Sequence, residues 1–412
     1  MNEMAPKIRW TTALGLAVCI SMAAAVSLGM TRFAYALLLP PMRDDLLWSY
    51  TLAGAMNTFN AAGYLVGALL TPLVLRRLGA VRVLIGGAFA ATVFMAMTGF
   101  LTDTAALLFQ RFLAGVASAA VFVSGGLLAA RLGAHIPSQS GLLLGVYYGG
   151  TGWGIVLSAL MVPASLSWAQ AQAVDHPWSW SWWFLAGLCA LLSMLIALIR
   201  SPLNRWAPES LPSVAATRSA QPAGKAWRPW LFALLGYGCF GVGYIGYMTF
   251  VVALLREQGA MPSDITLFYA FLGIAVVVSS WVWAGLLNRY RGGQALSILS
   301  ALLSVATVIP ALTAAWPMMM LSGLIFGVVF LSLVASTTAM VKHNLPPEAW
   351  ASGISAFTVI FALGQIVGPV VVGWIADGEG GLQQGLLFSA LALLLGSYFA
   401  WQQKPLNEKP ET

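Results

Sequence analysis

Residues 105–130 read AALLFQRFLAGVASAAVFVSGGLLAA, twenty-six positions in which Arg111 is the one charged residue. About 20 mainly apolar residues in a helix cross a hydrocarbon core of roughly 30 Å, so this segment is long enough to span a bilayer. Its arginine needs an explanation. At the centre of a membrane helix an arginine costs about 2.5–3.5 kcal/mol on insertion scales, so such residues face a bundle interior or a watery cavity.

The same test applied in both directions yields twelve spans, at 12–39, 50–75, 83–101, 105–130, 140–166, 178–199, 229–255, 265–287, 295–315, 317–341, 349–376 and 382–401. Hydrophobic residues make up 59% and charged residues 8% of the 412-residue chain, which excludes a soluble globular domain of this length. The fold class expected is an all-α integral membrane protein of twelve transmembrane helices. The segment 201–228, with Pro202, Pro208, Pro212 and Pro222, has linker composition. It divides the chain into a six-helix bundle at 1–200, a cytoplasmic linker at 201–228, and a second bundle at 229–412 with a short cytoplasmic tail.

The net charge of +7 does not point to nucleic acid, because Lys and Arg are scattered over short loops and form no basic face. If the N-terminus is cytoplasmic, sixteen of the twenty basic residues fall on that side and only Arg43 and Arg256 on the other, with Arg32 and Arg111 inside spans. The positive-inside rule then places both termini in the cytoplasm, and the location expected is a bacterial inner membrane. Acidic residues gather opposite, at Asp44, Asp45, Asp103, Asp175, Glu257, Asp264, Asp377 and Glu379. Lys7 and Arg9 before an apolar run resemble a secretory signal, but the run continues to Leu39, which reads as an uncleaved first helix. Cys19, Cys189 and Cys239 lie in apolar spans without metal-ligand or disulfide spacing, so neither a metal nor a cofactor is indicated.

The halves repeat one another. The fifth span opens at Ser140-Gly141 and carries Gly145, Gly149, Gly150, Gly152 and Gly154; the eleventh opens at Ser352-Gly353 and carries Gly364, Gly368, Pro369 and Gly373. Small residues at such spacing let helices approach closely. They also permit bending or sliding, helped by the missing donor of Pro369. Two parallel six-helix repeats are the arrangement of major facilitator transporters.

Specific motifs carry that resemblance. The fourth span, 107–119, reads LLFQRFLAGVASA, an arginine followed four residues later by Gly115 and then small residues, which resembles the family's fourth-helix pattern. The turn 76–82, RRLGAVR, resembles the family's basic turn through Arg76, Arg77, Gly79 and Arg82, although Arg76 stands where an aspartate is usual and Pro72 where a glycine is. Asn288 to Gly292, NRYRG, also lacks the acid. The resemblance implies a gating role for this turn and for the glycines, with the family's acidic charge network missing. The fifth-span glycines resemble an antiporter pattern with Gly150 in place of a proline, which favours export slightly. GMTRFAY at 29–35 and NAAGYLVGA at 60–68 resemble the YbfB/YjiJ-like branch.

The candidate site follows from the buried cations. Arg32 lies about 12 Å along the helix from Pro40, and Arg111 a similar distance from Asp103, so the two share one level. Asn57, Asn60 and Tyr64 form a stripe on the second span at comparable depth, and Tyr35 is one turn from Arg32. In the seventh span Tyr237, Gly241, Tyr244 and Met248 form another stripe, while the position matching Arg111 in the tenth span is near Gly323. One reading has Arg32 and Arg111 holding an anionic group while Tyr237 and Tyr244 meet an apolar or ring portion. The other has Arg111 satisfying carbonyls of neighbouring helices, Arg32 bonding Asn57 or Asn60, and the tyrosines simply packing. Trp10, Trp48, Trp168, Trp178, Trp180, Trp182, Trp183, Trp227, Trp230, Trp316, Trp350 and Trp401 lie near span ends and read as headgroup anchors.

Function is expected to be secondary transport of a small organic solute, anionic or amphipathic, by alternating access, with a monomer in the lipid bilayer as the working unit. No Asp, Glu or His falls in a span core; a proton is the candidate coupling ion only through rim acids or the ionisation of the substrate. No phosphate-binding Gly-x-x-x-x-Gly-Lys-Ser/Thr sequence supports ATP hydrolysis. Efflux of lipophilic drugs is the competing transport reading, and a non-transporting receptor or scaffold the competing class. A membrane enzyme is disfavoured by the lack of an intramembrane acid–base constellation.

Overall fold

The structure is a computed structural model that describes residues 8–207, 228–346 and 349–406. Lys7, Arg218, Lys225, Trp227, Lys409 and most of the expected linker lie outside the described residues. Among the described residues twelve helices are long and apolar enough to cross a membrane, and each overlaps one expected span. In chain order they are α1 (Trp10–Leu46), α2 (Tyr50–Leu78), α3 (Ala80–Thr98), α4 (Thr104–Ala134), α5 (Ser140–Ala171), α6 (Pro177–Leu198), α7 (Leu231–Glu257), α8 (Pro262–Arg289), α9 (Gln294–Leu312), α10 (Trp316–Asn344), α11 (Trp350–Ala376) and α12 (Gly381–Gln402).

The packing repeats at an interval of six helices. In the first half α2 packs on α4, α1 on α5, α3 on α6 and α3 on α4; in the second α8 packs on α10, α7 on α11, α9 on α12 and α9 on α10. The halves meet chiefly along α2 with α11 and α5 with α8, seams that exchange under the repeat, and also where the end of α1 packs on α7. Large apolar residues left on the outside, such as Leu73, Phe109, Met194 and Trp374, face hydrocarbon in a multi-pass membrane protein and need no protein cover.

Two departures concern α1. It runs beyond Pro40 and Pro41 to Leu46, where Leu47 at φ 54° ends it, so Arg32 sits deeper than its distance from Pro40 implies. Prolines survive inside membrane helices because neighbouring helices can supply the lost bonds. Within α1, residues Ala25–Phe33 form a π-helical segment. Turns wound in this way are frequent at functional sites.

The basic turn is one residue long. Gly79 takes φ 80° and ψ 158°, a conformation that glycine adopts without strain, and its N–H closes on the Leu75 carbonyl at 2.9 Å. Arg76, Arg77 and Arg82 project to the exposed surface around it.

Candidate functional site

The widened turn of α1 releases carbonyls from the ordinary helical ladder, and in an apolar medium each needs a donor. Thr31 Oγ1 donates to the Val26 carbonyl five residues back at 2.7 Å. From α4, Ser118 Oγ donates to the Ser27 carbonyl at 2.6 Å and Arg111 Nη1 to the Thr31 carbonyl at 2.8 Å. From α8 in the other half, the Tyr269 hydroxyl donates to the Phe33 carbonyl at 2.7 Å. The segment that carries Arg32 is therefore held by three neighbouring side chains.

Arg111 is 1% exposed and held by contacts through both Nη atoms, with Nε alone lacking a hydrogen-bond partner among the described residues. Its guanidinium lies 5.3 Å from the Tyr35 ring centroid and 5.7 Å from that of Trp182, besides the Thr31 bond and a long 3.5 Å contact from Nη2 to Asn57 Oδ1. Tyr35 belongs to this arginine, not to Arg32, and spends its hydroxyl on the Ala53 carbonyl at 2.8 Å. Asn60 Nδ2 donates to the backbone carbonyl of Arg111 at 3.2 Å, and Asn57 Nδ2 reaches across the seam to Thr249 Oγ1 at 2.8 Å. Both asparagines thus serve Arg111 or the seam, and neither is bonded to Arg32.

Arg32 is 3% exposed and differently placed. Its guanidinium stands 5.8 Å from the Tyr64 ring centroid, within electrostatic reach of Tyr244 from the other half and of Arg111. Nε and Nη2 have no hydrogen-bond partner among the described residues. These two nitrogens lie along one edge of the guanidinium, the edge that receives both oxygens of a carboxylate in parallel. Buried polar groups are nearly always bonded, so an open fork at this depth requires a partner. No carboxylate among the described residues supplies one: the ion pairs there join Arg43 to Asp44, His176 to Asp45 and Arg256 to Asp44, all at the bundle end away from Ile8 and Leu406, here the distal end.

The other wall is aromatic. Tyr237 stacks on Phe361 at 5.0 Å and on Phe240 at 5.5 Å; Tyr244 stacks on Phe240, Phe330 and Phe361 at 4.9, 5.1 and 5.4 Å. The Tyr244 hydroxyl donates to Gln365 Oε1 at 2.8 Å. Phe33, beside Arg32, meets Phe330 edge-on at 5.8 Å across the seam. Phe330, Phe361 and Gln365 escaped the sequence reading because nothing local distinguishes a wall aromatic from a packing one. Tryptophans need a correction. Trp48, Trp178, Trp182 and Trp230 are buried within the bundle instead of anchoring it in headgroups. The first three donate their indole N–H to other side chains of the bundle: Trp48 to Thr104, Trp178 to Asp45 at the distal rim, and Trp182 to the buried Met42 sulfur.

The expected gating glycines lie at close approaches. A Cβ at Gly115 would meet the Asn60 carbonyl, one at Gly152 the Gly273 carbonyl, one at Gly364 the Gly238 carbonyl and one at Gly368 the Val242 carbonyl. Gly149 is roomier, with Val277 atoms at 3.5 Å and beyond, and the Pro369 carbonyl abuts Gly54.

A family model described as "Uncharacterised MFS-type transporter YbfB" matches residues 24–400. The chain is similar to the 3-(3-hydroxy-phenyl)propionate transporter of Escherichia coli (strain K12), 25% identical over 350 residues and covering 81% of each chain. It is similar to the putative tartrate transporter of Agrobacterium vitis, 24% identical over 396 residues, 86% of this chain and 82% of that one. Among solved structures, a bacterial homologue of the human drug peptide transporters PepT1 and PepT2 shares the fold, with a TM-score of 0.73 at 16% identity over 97% of this chain and 99% of the other. With a match that runs from α1 into α12, this chain belongs to the major facilitator superfamily of transporters, in the YbfB-type family.

Proposed function

We propose that this major facilitator protein carries a small organic acid, taken as its carboxylate by the open edge of Arg32, with an apolar or ring portion against the Tyr237–Phe361–Tyr244 wall. The observation that carries the reading is the buried Nε and Nη2 of Arg32, unpartnered among the described residues, beside a second buried guanidinium, with no carboxylate among those residues to balance them. A buried cation left unbalanced is costly, and an anionic substrate offsets that cost when it binds. Arg111 acts mainly through the Thr31 carbonyl, setting the π-helical turn that presents Arg32. The two relatives bear the names of a 3-(3-hydroxy-phenyl)propionate transporter and a putative tartrate transporter, and both named solutes are organic acids, which supports the same chemistry.

Transport proceeds by rocking of the six-helix units, 1–200 and 229–412 about the linker 201–228, along the α2–α11 and α5–α8 seams. The working unit is a monomer in a bacterial inner membrane with both termini cytoplasmic. Export is the favoured direction and the proton the candidate coupling ion. Efflux of lipophiles is the second reading, favoured by a largely apolar cavity of about 500 Å³ between α1, α5, α6 and α8, lined in part by Met22, Trp153, Leu157 and Trp281.

Proteoliposomes test the choice. Saturable, protein-dependent movement of labelled 3-phenylpropionate, with phenethylamine and phenylethanol unmoved, is the expected result. Movement of the amine or alcohol but not the acid overturns the anion reading and selects lipophile efflux.

A further inference from the structure

The distal ends of α2 and α11 come from opposite halves and abut. Ser49 begins α2 and its Oγ accepts from Leu52 N at 3.1 Å. The two preceding amides go to the other half: Tyr50 N donates to Asp377 Oδ1 at 2.7 Å and Thr51 N to Asp377 Oδ2 at 2.9 Å, with Thr51 Oγ1 adding 2.6 Å to the same oxygen. Asp377 in turn ends α11, its own N–H closing on the Gly373 carbonyl at 2.9 Å. Helix N-termini carry unsatisfied N–H groups and partial positive charge, which a carboxylate satisfies on both counts. A Cβ at Gly373 would meet the Tyr50 carbonyl, so this glycine permits the approach. Around it the Tyr50 hydroxyl donates to Glu257, the Arg43 guanidinium lies 3.9 Å from the Tyr50 ring centroid, and Arg256 stands 3.5 Å from Asp44. The other hydrogen bonds that join the halves among the described residues, Asn57 to Thr249, Thr58 to Ile366 and Tyr269 to Phe33, lie deeper in the bundle.

We propose that Asp377 is the gating residue that holds the distal end closed, by capping α2 from the opposite half. The inference rests on the alternating-access reading above: a distal opening has to break all three donor contacts at once, and they are replaced by water only in the open state. Asp377 touches no substrate, so it sets the balance between states without contributing to binding.

Spin-label distances in the full-length protein test it, in a background with Cys19, Cys189 and Cys239 replaced by alanine. One pair, Leu47→Cys with Glu379→Cys, spans the distal gap; the other, Arg77→Cys with Ser352→Cys, spans the opposite end, and all four positions are exposed. Asp377→Ala and Asp377→Asn should raise the distal open-to-closed ratio by at least about tenfold, the loss of one charge-assisted hydrogen bond, and shorten the opposite pair. If Asp377→Ala fails to fold, Thr51→Val removes the hydroxyl contact alone and shifts both distances the same way by less. Folded variants with both distance distributions unchanged overturn the latch. A longer distal pair with the opposite pair unmoved upholds the latch and overturns rocking of the halves, and neither readout needs a transported substrate.

Discussion

Replacing Arg32 by lysine keeps a positive charge at the same depth and removes the planar fork. Arg32 offers Nε and Nη2 from one edge of its guanidinium, both buried and without a hydrogen-bond partner among the described residues. An ammonium presents a point charge that cannot hold both carboxylate oxygens in that plane. Each hydrogen bond to a charged group is worth about 1.5–3 kcal/mol, so losing one of a parallel pair weakens binding roughly 10- to 100-fold. Arg32→Gln removes the charge as well and should abolish the preference for acids over neutral analogues of the same shape. The assay is a titration of purified protein with 3-phenylpropionate and phenylethanol, read by isothermal calorimetry and by thermal stabilisation, since a ligand of the native state raises apparent stability. Equal affinity of the acid for the native protein, the Lys variant and the Gln variant would refute the assignment of Arg32 as the anion ligand.

Arg111→Gln should behave differently: it leaves the Thr31 carbonyl short of a donor and lowers stability by about 1–3 kcal/mol, yet the variant still prefers acids, as the same two ligands will report. On α5, Gly149→Ala should be nearly neutral in thermal denaturation because the new methyl meets Val277 at ordinary contact distance. Gly152→Ala, three residues on, drives a methyl into the Gly273 backbone and should cost about 1–3 kcal/mol or more. The latch should be insensitive to ordinary pH. Partial burial opposes the charge of Asp377, but hydrogen bonds from Thr51, Tyr50 and Ser49 outweigh it and hold its carboxyl below the usual 3.8. A depressed carboxyl contributes its full stability above the ordinary value and loses it only as pH falls through the depressed one. With Tyr50, Glu257, Arg43, Asp44 and Arg256 grouped around the distal contact, the distal spin-label distance should stay constant from about pH 5 to 8, and a midpoint in that window would refute Asp377 as its controlling charge.

Much of this architecture is legible along the chain because a bilayer demands a long apolar run for each crossing, and twelve such runs with two charges among them leave little choice. The buried arginines stood out for the same reason: a cation in an apolar run is costly wherever it occurs, without reference to neighbours. Their division of labour was not legible. Arg32 and Arg111 look alike in sequence, yet Arg111 engages the Thr31 carbonyl, Tyr35 and Trp182 and leaves only Nε unbonded, while Arg32 leaves Nε and Nη2 open along one edge. The π-helical turn that separates them depends on donors from Ser118, Arg111 and Tyr269, the last 236 residues from its acceptor. Trp178 and Trp182 were misread as anchors because position near a helix end does not tell which face of the helix an indole occupies.

What the sequence determined by itself was the solvent and the number of crossings: composition and hydropathy select lipid and twelve spans, since those follow from transfer free energies summed over local segments, and recurring glycine positions mark two halves of six. Only the tertiary structure decided which polar groups meet across the seams. Asp377 and Tyr50 stand 327 residues apart, and no local preference pairs a carboxylate with a helix N-terminus in the other half. That pairing, like the open edge of Arg32, depends on how the helix faces are rotated when the two bundles pack, and rotation is set by contacts among all neighbours at once.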